Sequence, residues 1–127
     1  MSRQPLFAVH SVVLVGFGTG FLVLPSQLLQ MYGTATDEAG TLGLRAFGVF
    51  ALLVASALWV MRRPDDRSDA LLFVAAMAAG NLVLGAVAAS AQFEGTLNGL
   101  GWLNVGLFAL FGSAYTMLTW TTITNRT

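Results

Sequence analysis

The sequence contains no cysteine and no lysine, and it has few charged residues of either sign. Of its 127 residues, 9% are charged and 56% are hydrophobic. Without cysteine a chain forms no disulfides, thiolate metal sites or iron–sulfur clusters, and has no thiol redox chemistry. Without lysine it has no amine on which a cofactor such as retinal forms a Schiff base. Several classes of redox and photoactive protein are therefore excluded.

The scarcity of charge also argues against a water-facing surface. A soluble domain normally carries about 25% charged residues, far more than this chain has. Its formal net charge is +0, so the strongly basic surface that binds nucleic acid is not expected. We therefore predict an integral membrane protein whose main partner is the lipid bilayer.

Four long apolar runs account for most of the chain. They cover residues 6–24, 42–61, 70–91 and 99–120. A hydrocarbon core about 30 Å thick needs about 20 apolar residues per helix, and in lipid only a helix satisfies its own backbone over this length. The sequence therefore predicts an all-α fold. We expect an antiparallel four-helix bundle that forms a single transmembrane domain over residues 1–127.

Arginine predicts the orientation of this bundle. An even number of spans places both termini on one side of the membrane. That side would hold Arg3, Arg62, Arg63, Arg67 and Arg126. The opposite side would hold Arg45, Asp37, Glu38 and Glu94. An excess of arginine marks the cytoplasmic side, so we expect both termini to be cytoplasmic in a multi-pass protein of the inner cell membrane.

The loops carry two local signals. The segment from Pro25 to Tyr32 has its apolar residues on one side and precedes Gly33, which predicts a short helix in the outer interface. Thr36, followed by Asp37 and Glu38, is typical of a helix start with acids in its first turn. The second long helix is therefore expected to begin before its apolar run. In the loop after Arg63, we expect either local ion pairs among its mixed charges or a cap on the third long helix from Asp65 or Ser68.

Small residues recur along every run. They are Gly16 and Gly20 in the first run, Gly48, Ala51 and Ala55 in the second, Ala76, Gly80 and Gly85 in the third, and Gly106, Ala109 and Ser113 in the fourth. Helices in lipid associate through close contact at such residues. One interpretation is packing within the bundle. The other is that one stripe binds a second subunit, either another copy or another membrane protein.

One polar cluster is predicted near the outer surface. Arg45 lies one turn into the second run, and Gln92, Glu94, Asn98 and Asn104 are expected at a similar depth. In a structural role, Arg45 would extend to the lipid headgroups or pair with Glu94, and either contact would fix the depth of the second helix in the membrane. A functional role is an anion or lipid-headgroup site that opens to the outer side.

Three further polar residues fall inside the predicted spans. His10 and Tyr115 are expected at similar depth, which suggests a hydrogen bond between them. The alternative role of His10 is ligation of a haem iron. Because the chain has one histidine, the second ligand would have to be a methionine or the histidine of a symmetric dimer. Asn81 lies near the middle of the third run. It is expected either to join two helices by a hydrogen bond, worth about 0.6 kcal/mol on average, or to line a ligand cavity.

The predicted spans contain no carboxylate, and nowhere do metal-ligating residues cluster. Small multidrug antiporters couple transport to protons through a buried acid, so that mechanism has no residue here. Metal-dependent hydrolysis needs several histidine or acidic ligands. We therefore predict no catalytic residue, no cofactor and no metal, and we do not expect the chain to be an enzyme.

A family resemblance appears between Leu24 and Arg63. The segment has Pro25, then Leu28-Leu29-x-Met31-Tyr32-Gly33, an acidic helix start, Leu44-Arg45-Ala46-Phe47-Gly48, Trp59 and Arg62-Arg63. This pattern resembles the DoxX-like group of small bacterial four-helix membrane proteins of unknown function, over about half of the chain. The resemblance implies the four-helix architecture. Several members of that group carry a polar or basic residue in the third helix, where this chain has Asn81.

Two functions follow as hypotheses. The first is a small non-enzymatic membrane protein that serves as an accessory subunit or associates with itself, since small-residue stripes occur on all four helices. The second is binding or transport of a small lipophilic molecule or a lipid through the outer polar cluster around Arg45 and Asn104.

Overall fold

The computed structural model describes residues 3–63 and 69–125. Within these residues it has five α-helices and no strand. The helices are α1 (Arg3–Val23), α2 (Pro25–Met31), α3 (Glu38–Met61), α4 (Asp69–Phe93) and α5 (Gly101–Thr124). By length and composition, α1, α3, α4 from Ala70 onward and α5 could each cross a membrane. The predicted all-α class and the four long apolar helices are confirmed.

The described chain divides into two compact units. The N-terminal unit contains α1, α2 and α3, and the C-terminal unit contains α4 and α5. Each unit has one antiparallel pair of long helices. The prediction that residues 1–127 form one domain is not tested by this division and stays a prediction.

The start of α3 lies four residues before its predicted apolar run. Asp37 caps the helix, because its Oδ1 accepts a hydrogen bond from the backbone N–H of Gly40 at 2.8 Å. The Thr41 hydroxyl donates to the Asp37 carbonyl at 2.9 Å. The predicted early start is therefore confirmed, with Asp37 as the capping residue. The expected caps at Asp65 and Ser68, like Arg67 and Arg126, lie outside the described residues.

The predicted short helix is confirmed as α2. Pro25 occupies its first turn, where a missing N–H costs no hydrogen bond. The helix ends at Met31, and Gly33 shortly after it has a φ of 73°, in the left-handed region that glycine tolerates. Leu28 packs against Gly20 of α1, and Tyr32 is buried. These contacts attach α2 to the N-terminal unit, while its position at a membrane interface stays a prediction.

In the N-terminal unit, α1 and α3 approach each other at a glycine pair. Gly18 of α1 lies against Gly48 of α3, and the Ser11 hydroxyl donates to the Ala55 carbonyl at 2.8 Å. The order of these contacts along the two helices is opposite, which makes the pair antiparallel. The predicted packing role of Gly48 and of the buried Ala51 and Ala55 is confirmed.

Gly16 and Gly20 do not form the contact between α1 and α3, so the predicted packing of this ridge against α3 is wrong, while its binding of a second subunit stays a prediction. A Cβ atom at Gly16 would meet nothing within 4 Å, and one at Gly20 would meet the Leu28 side chain of α2. Gly18 is the glycine that contacts α3. Residues two positions apart point to nearly opposite sides of a helix, so the spacing of glycines alone does not reveal which side is packed.

In the C-terminal unit, α4 and α5 pack along their length. Gly112 lies against Leu82, and Gly85 lies against Phe108. Near the connecting loop, the rings of Phe93 and Trp102 meet edge to face with centroids 5.5 Å apart. These contacts confirm an antiparallel hairpin and the packing role of Gly85.

Candidate functional site

The candidate site in the N-terminal unit is a depression at the start of α3. Its volume is about 310 Å³. It is lined by Thr36, Asp37, Glu38, Thr41, Leu42 and Arg45. The last four lie at helical spacings of three and four residues, so they share one face of α3. The depression is open, which makes it accessible from outside the protein.

The charges in this depression have opposite signs. Asp37 and Glu38 contribute carboxylates at the polar end of α3, and Arg45 contributes a guanidinium two turns further along. Arg45 is exposed and makes no hydrogen bond or ion pair within the described part of its own unit. Its five N–H donors are suited to a ligand with anionic oxygens.

The predicted polar cluster includes residues of both units. Arg45 belongs to the N-terminal unit, whereas Glu94, Asn98 and Asn104 belong to the C-terminal unit. The pairing of Arg45 with Glu94 would join the two units and stays a prediction. Within the C-terminal unit, Glu94 is exposed and Asn104 is partly buried near the start of α5.

Asn98 has a structural role in the loop between α4 and α5. Its Oδ1 accepts a hydrogen bond from the backbone N–H of Leu100 at 3.0 Å. The Gln92 side chain donates through Nε2 to the carbonyl of Asn98 at 2.9 Å and lies 3.5 Å from that of Leu97. These bonds close the loop on the end of α4, and the Asn98 carbonyl also accepts from the backbone N–H of Gly101 at 2.9 Å.

Gln92 also packs tightly against the start of α5. A Cβ atom at Gly101 would clash with Gln92 Oε1 and Leu97. Among the described side chains, Gln92 Oε1 is a buried acceptor with no hydrogen-bond partner. The Gln92 amide is oriented by its nitrogen, because Nε2 faces the carbonyls of Leu97 and Asn98, and only a donor can form hydrogen bonds with them. An alanine at position 101 would therefore have to displace the Gln92 amide.

Asn81 is buried and donates through Nδ2 to the Met77 carbonyl at 2.8 Å. This bond lies within α4, one turn back along the same helix. Its role as a link between helices therefore stays a prediction, as does its role in lining a cavity.

His10 and Tyr115 are both buried, with 3% and 0% of their surfaces exposed. They belong to different units, and the hydrogen bond predicted between them stays a prediction. In the part of the chain that the structure describes, no group of three or more His, Cys, Asp or Glu residues could hold a metal ion.

One contact near the end of α3 was not expected from the sequence. The Arg62 guanidinium carbon lies 3.8 Å from the centroid of the Trp59 ring, within the range of a cation–π interaction. Their spacing of three positions on a helix was the signal that could have predicted the contact.

The comparisons with known proteins add no assignment to this geometry. No protein-family model, curated protein or solved structure matches the chain. The resemblance of residues 24–63 to the DoxX-like group remains an interpretation of the sequence, and the function is argued from the residues themselves.

Proposed function

We propose that the chain is a small, non-enzymatic, multi-pass membrane protein that functions through self-association of its transmembrane helices. In this proposal its spans lie in the inner cell membrane with both termini in the cytoplasm, and α2 lies in the outer interface. The four helices long and apolar enough to cross a membrane support the membrane part of the proposal.

The observation that carries the proposal is an open small-residue face on α5. Gly106, Ala109 and Ser113 are all exposed, and a Cβ atom at Gly106 would meet nothing within 4 Å. We call these three residues the α5 small-residue face. Gly112, which lies about 100° around the helix from Ser113, is already occupied by Leu82. Packing in the hairpin therefore uses one side of α5 and leaves this face uncovered.

Lipid gives a physical reason for such a face to bind another helix. Lipid tails are as apolar as leucine, so helices gain little from hydrophobic burial and associate where small residues let their backbones approach. The Ser113 hydroxyl adds a hydrogen-bonding group to the same face. A second copy of α5 presents the same small residues and is therefore a self-complementary partner.

Cysteine crosslinking in native membranes tests this proposal. The chain has no cysteine, so any disulfide between two copies must form at the single cysteine that is introduced. Ser113→Cys should form a disulfide-linked dimer under mild oxidation, since a two-fold axis near the α5 small-residue face brings the two copies together. Ser56→Cys is the matched control, because Ser56 is also exposed but lies on α3. Equal crosslinking of both variants, or monomer in both, would contradict the proposal.

A further inference from the structure

We propose that the depression at the start of α3 binds the headgroup of a zwitterionic aminophospholipid. In this site Arg45 holds the phosphate, and Glu38 and Asp37 hold the ammonium group. The site lies on α3 and does not involve the α5 small-residue face, so this proposal and self-association succeed or fail independently.

The spacing of the charges fits a ligand with two opposite charges. Seven residues separate Glu38 from Arg45, which is about 10 Å along a helix axis at 1.5 Å per residue. Side chains on a helix tilt toward its N-terminus, so the Arg45 guanidinium extends back toward the carboxylates. It still makes no ion pair within the described part of its unit. A phosphate linked to an ammonium by two carbons spans such a gap.

The sign of the charges argues against simpler ligands. A purely anionic headgroup would meet the carboxylates of Asp37 and Glu38 beside Arg45, and a simple cation would meet the guanidinium. A zwitterion pairs both signs at once. The planar guanidinium group of Arg45 can donate hydrogen bonds to two phosphate oxygens at once, which is the geometry in which arginine recognises phosphate most strongly.

Two threonines complete the polar part of the depression. The Thr41 hydroxyl already donates to the Asp37 carbonyl, so its oxygen still has lone pairs that can accept from an ammonium N–H. Thr36 lines the same depression. An ammonium group with three N–H donors can use these acceptors, whereas a trimethylated ammonium cannot.

The face of α3 beyond Arg45 is suited to an acyl chain. Leu42 is 70% exposed beside the depression, and Leu53 is 64% exposed two turns beyond Arg45. Val49 lies between Arg45 and Leu53 on the same face and is also exposed. A polar depression that continues into an exposed apolar stripe matches the arrangement of a phospholipid, with its headgroup above its tails. This continuity favours a membrane lipid over a free phosphate compound.

Lipid binding to the purified full chain, measured by native mass spectrometry from detergent, tests the proposal. The probes are phosphatidylethanolamine, phosphatidylcholine, phosphatidylglycerol and free phosphoethanolamine. We expect phosphatidylethanolamine to bind at least tenfold more tightly than the other three. Equal binding of the three phospholipids would show that Arg45 contacts any phospholipid headgroup without selectivity, and this would overturn the proposal. Equal binding of free phosphoethanolamine would overturn the lipid as the ligand.

Two variants separate the roles of the charges. Arg45→Gln should weaken phosphatidylethanolamine binding at least tenfold. Glu38→Gln should leave the phosphate contact in place, reduce the preference for phosphatidylethanolamine and improve phosphatidylglycerol binding. Because Glu38 is exposed in the first turn of α3, its variant still tests the proposal if Arg45→Gln does not fold. Unchanged selectivity in Glu38→Gln would overturn the proposal.

A control comes from a charge outside the depression. Arg63→Gln removes an exposed arginine that does not line the depression. This variant should bind phosphatidylethanolamine as the unmodified protein does. A loss as large as in Arg45→Gln would show that net charge, and not this depression, determines lipid binding, and the proposal would be wrong.

Discussion

Gly18 and Gly48 exclude a side chain from each other's position. A Cβ atom at Gly18 would lie 2.9 Å from the Gly48 carbonyl oxygen, and one at Gly48 would lie 2.7 Å from the Gly18 carbonyl oxygen. Both obstructing atoms belong to backbone, which cannot move aside as a flexible side chain can. The contact between α1 and α3 therefore depends on glycine at both positions.

Gly48→Ala should destabilise the N-terminal unit by about 1–3 kcal/mol, the usual cost of an overpacked contact. The physical reason is that the two helices must separate to admit the methyl group. Gly16→Ala is the matched control, because the same methyl group on α1 would enter open space. Unfolding of the full chain in mixed micelles, followed by circular dichroism, measures the difference. Equal stability of the two variants would show that the contact is not close.

Ser11 supports the same pair of helices with a hydrogen bond. Its hydroxyl donates to Ala55 of α3, whereas the Ser56 hydroxyl donates to Leu52 of its own helix at 2.9 Å. Ser11→Ala should cost about 0.6 kcal/mol, the average for interhelical bonds in lipid, and Ser56→Ala should cost less. The same unfolding measurement checks this order. A larger loss in Ser56→Ala would contradict it.

Gln92 and Gly101 hold the loop between α4 and α5. Gly101→Ala should displace the Gln92 amide and break its bonds to the loop carbonyls, at a cost of about 0.5–1.5 kcal/mol, because these groups are partly exposed. Gly99→Ala is the control, since a Cβ atom there would meet nothing within 4 Å. Hydrogen exchange of the 94–100 backbone should accelerate in Gly101→Ala only. Acceleration in Gly99→Ala to the same degree would count against the Gln92 contact.

The parts of the structure that the sequence predicts are those that follow from local rules. Long apolar runs must be helical in lipid, and acids after Thr36 indicate where α3 begins. The packed side of each helix was harder to predict, because an apolar residue that faces lipid looks like one that faces another helix. Hence Gly18 was missed in favour of Gly16. The sequence predicts Arg45 as a candidate, but it marks Thr36, Asp37 and Glu38 only as an outer loop and helix start, and it gives no signal for Thr41.

The proposed orientation is tested by reporter fusions. A reporter fused after Arg63 or at the C-terminus should be active in the cytoplasm, because arginine-rich segments stay on that side. Fusions near Asp37 or Glu94 should report the opposite side. Reporters active on only one side of the membrane, such as alkaline phosphatase outside and a fluorescent protein in the cytoplasm, give complementary readings. A reversed pattern at any of these positions would contradict the proposed topology.

The central claim is that the α5 small-residue face binds a second copy of the chain. The most direct measurement is the dimer dissociation constant in lipid vesicles, obtained from energy transfer between two differently labelled populations. Gly106→Leu should weaken dimerisation at least tenfold, because a large side chain prevents close approach of the backbones. Gly16→Leu places the same side chain in open space on α1 and should leave the constant unchanged. Equal constants for Gly106→Leu and the unmodified chain would contradict the account.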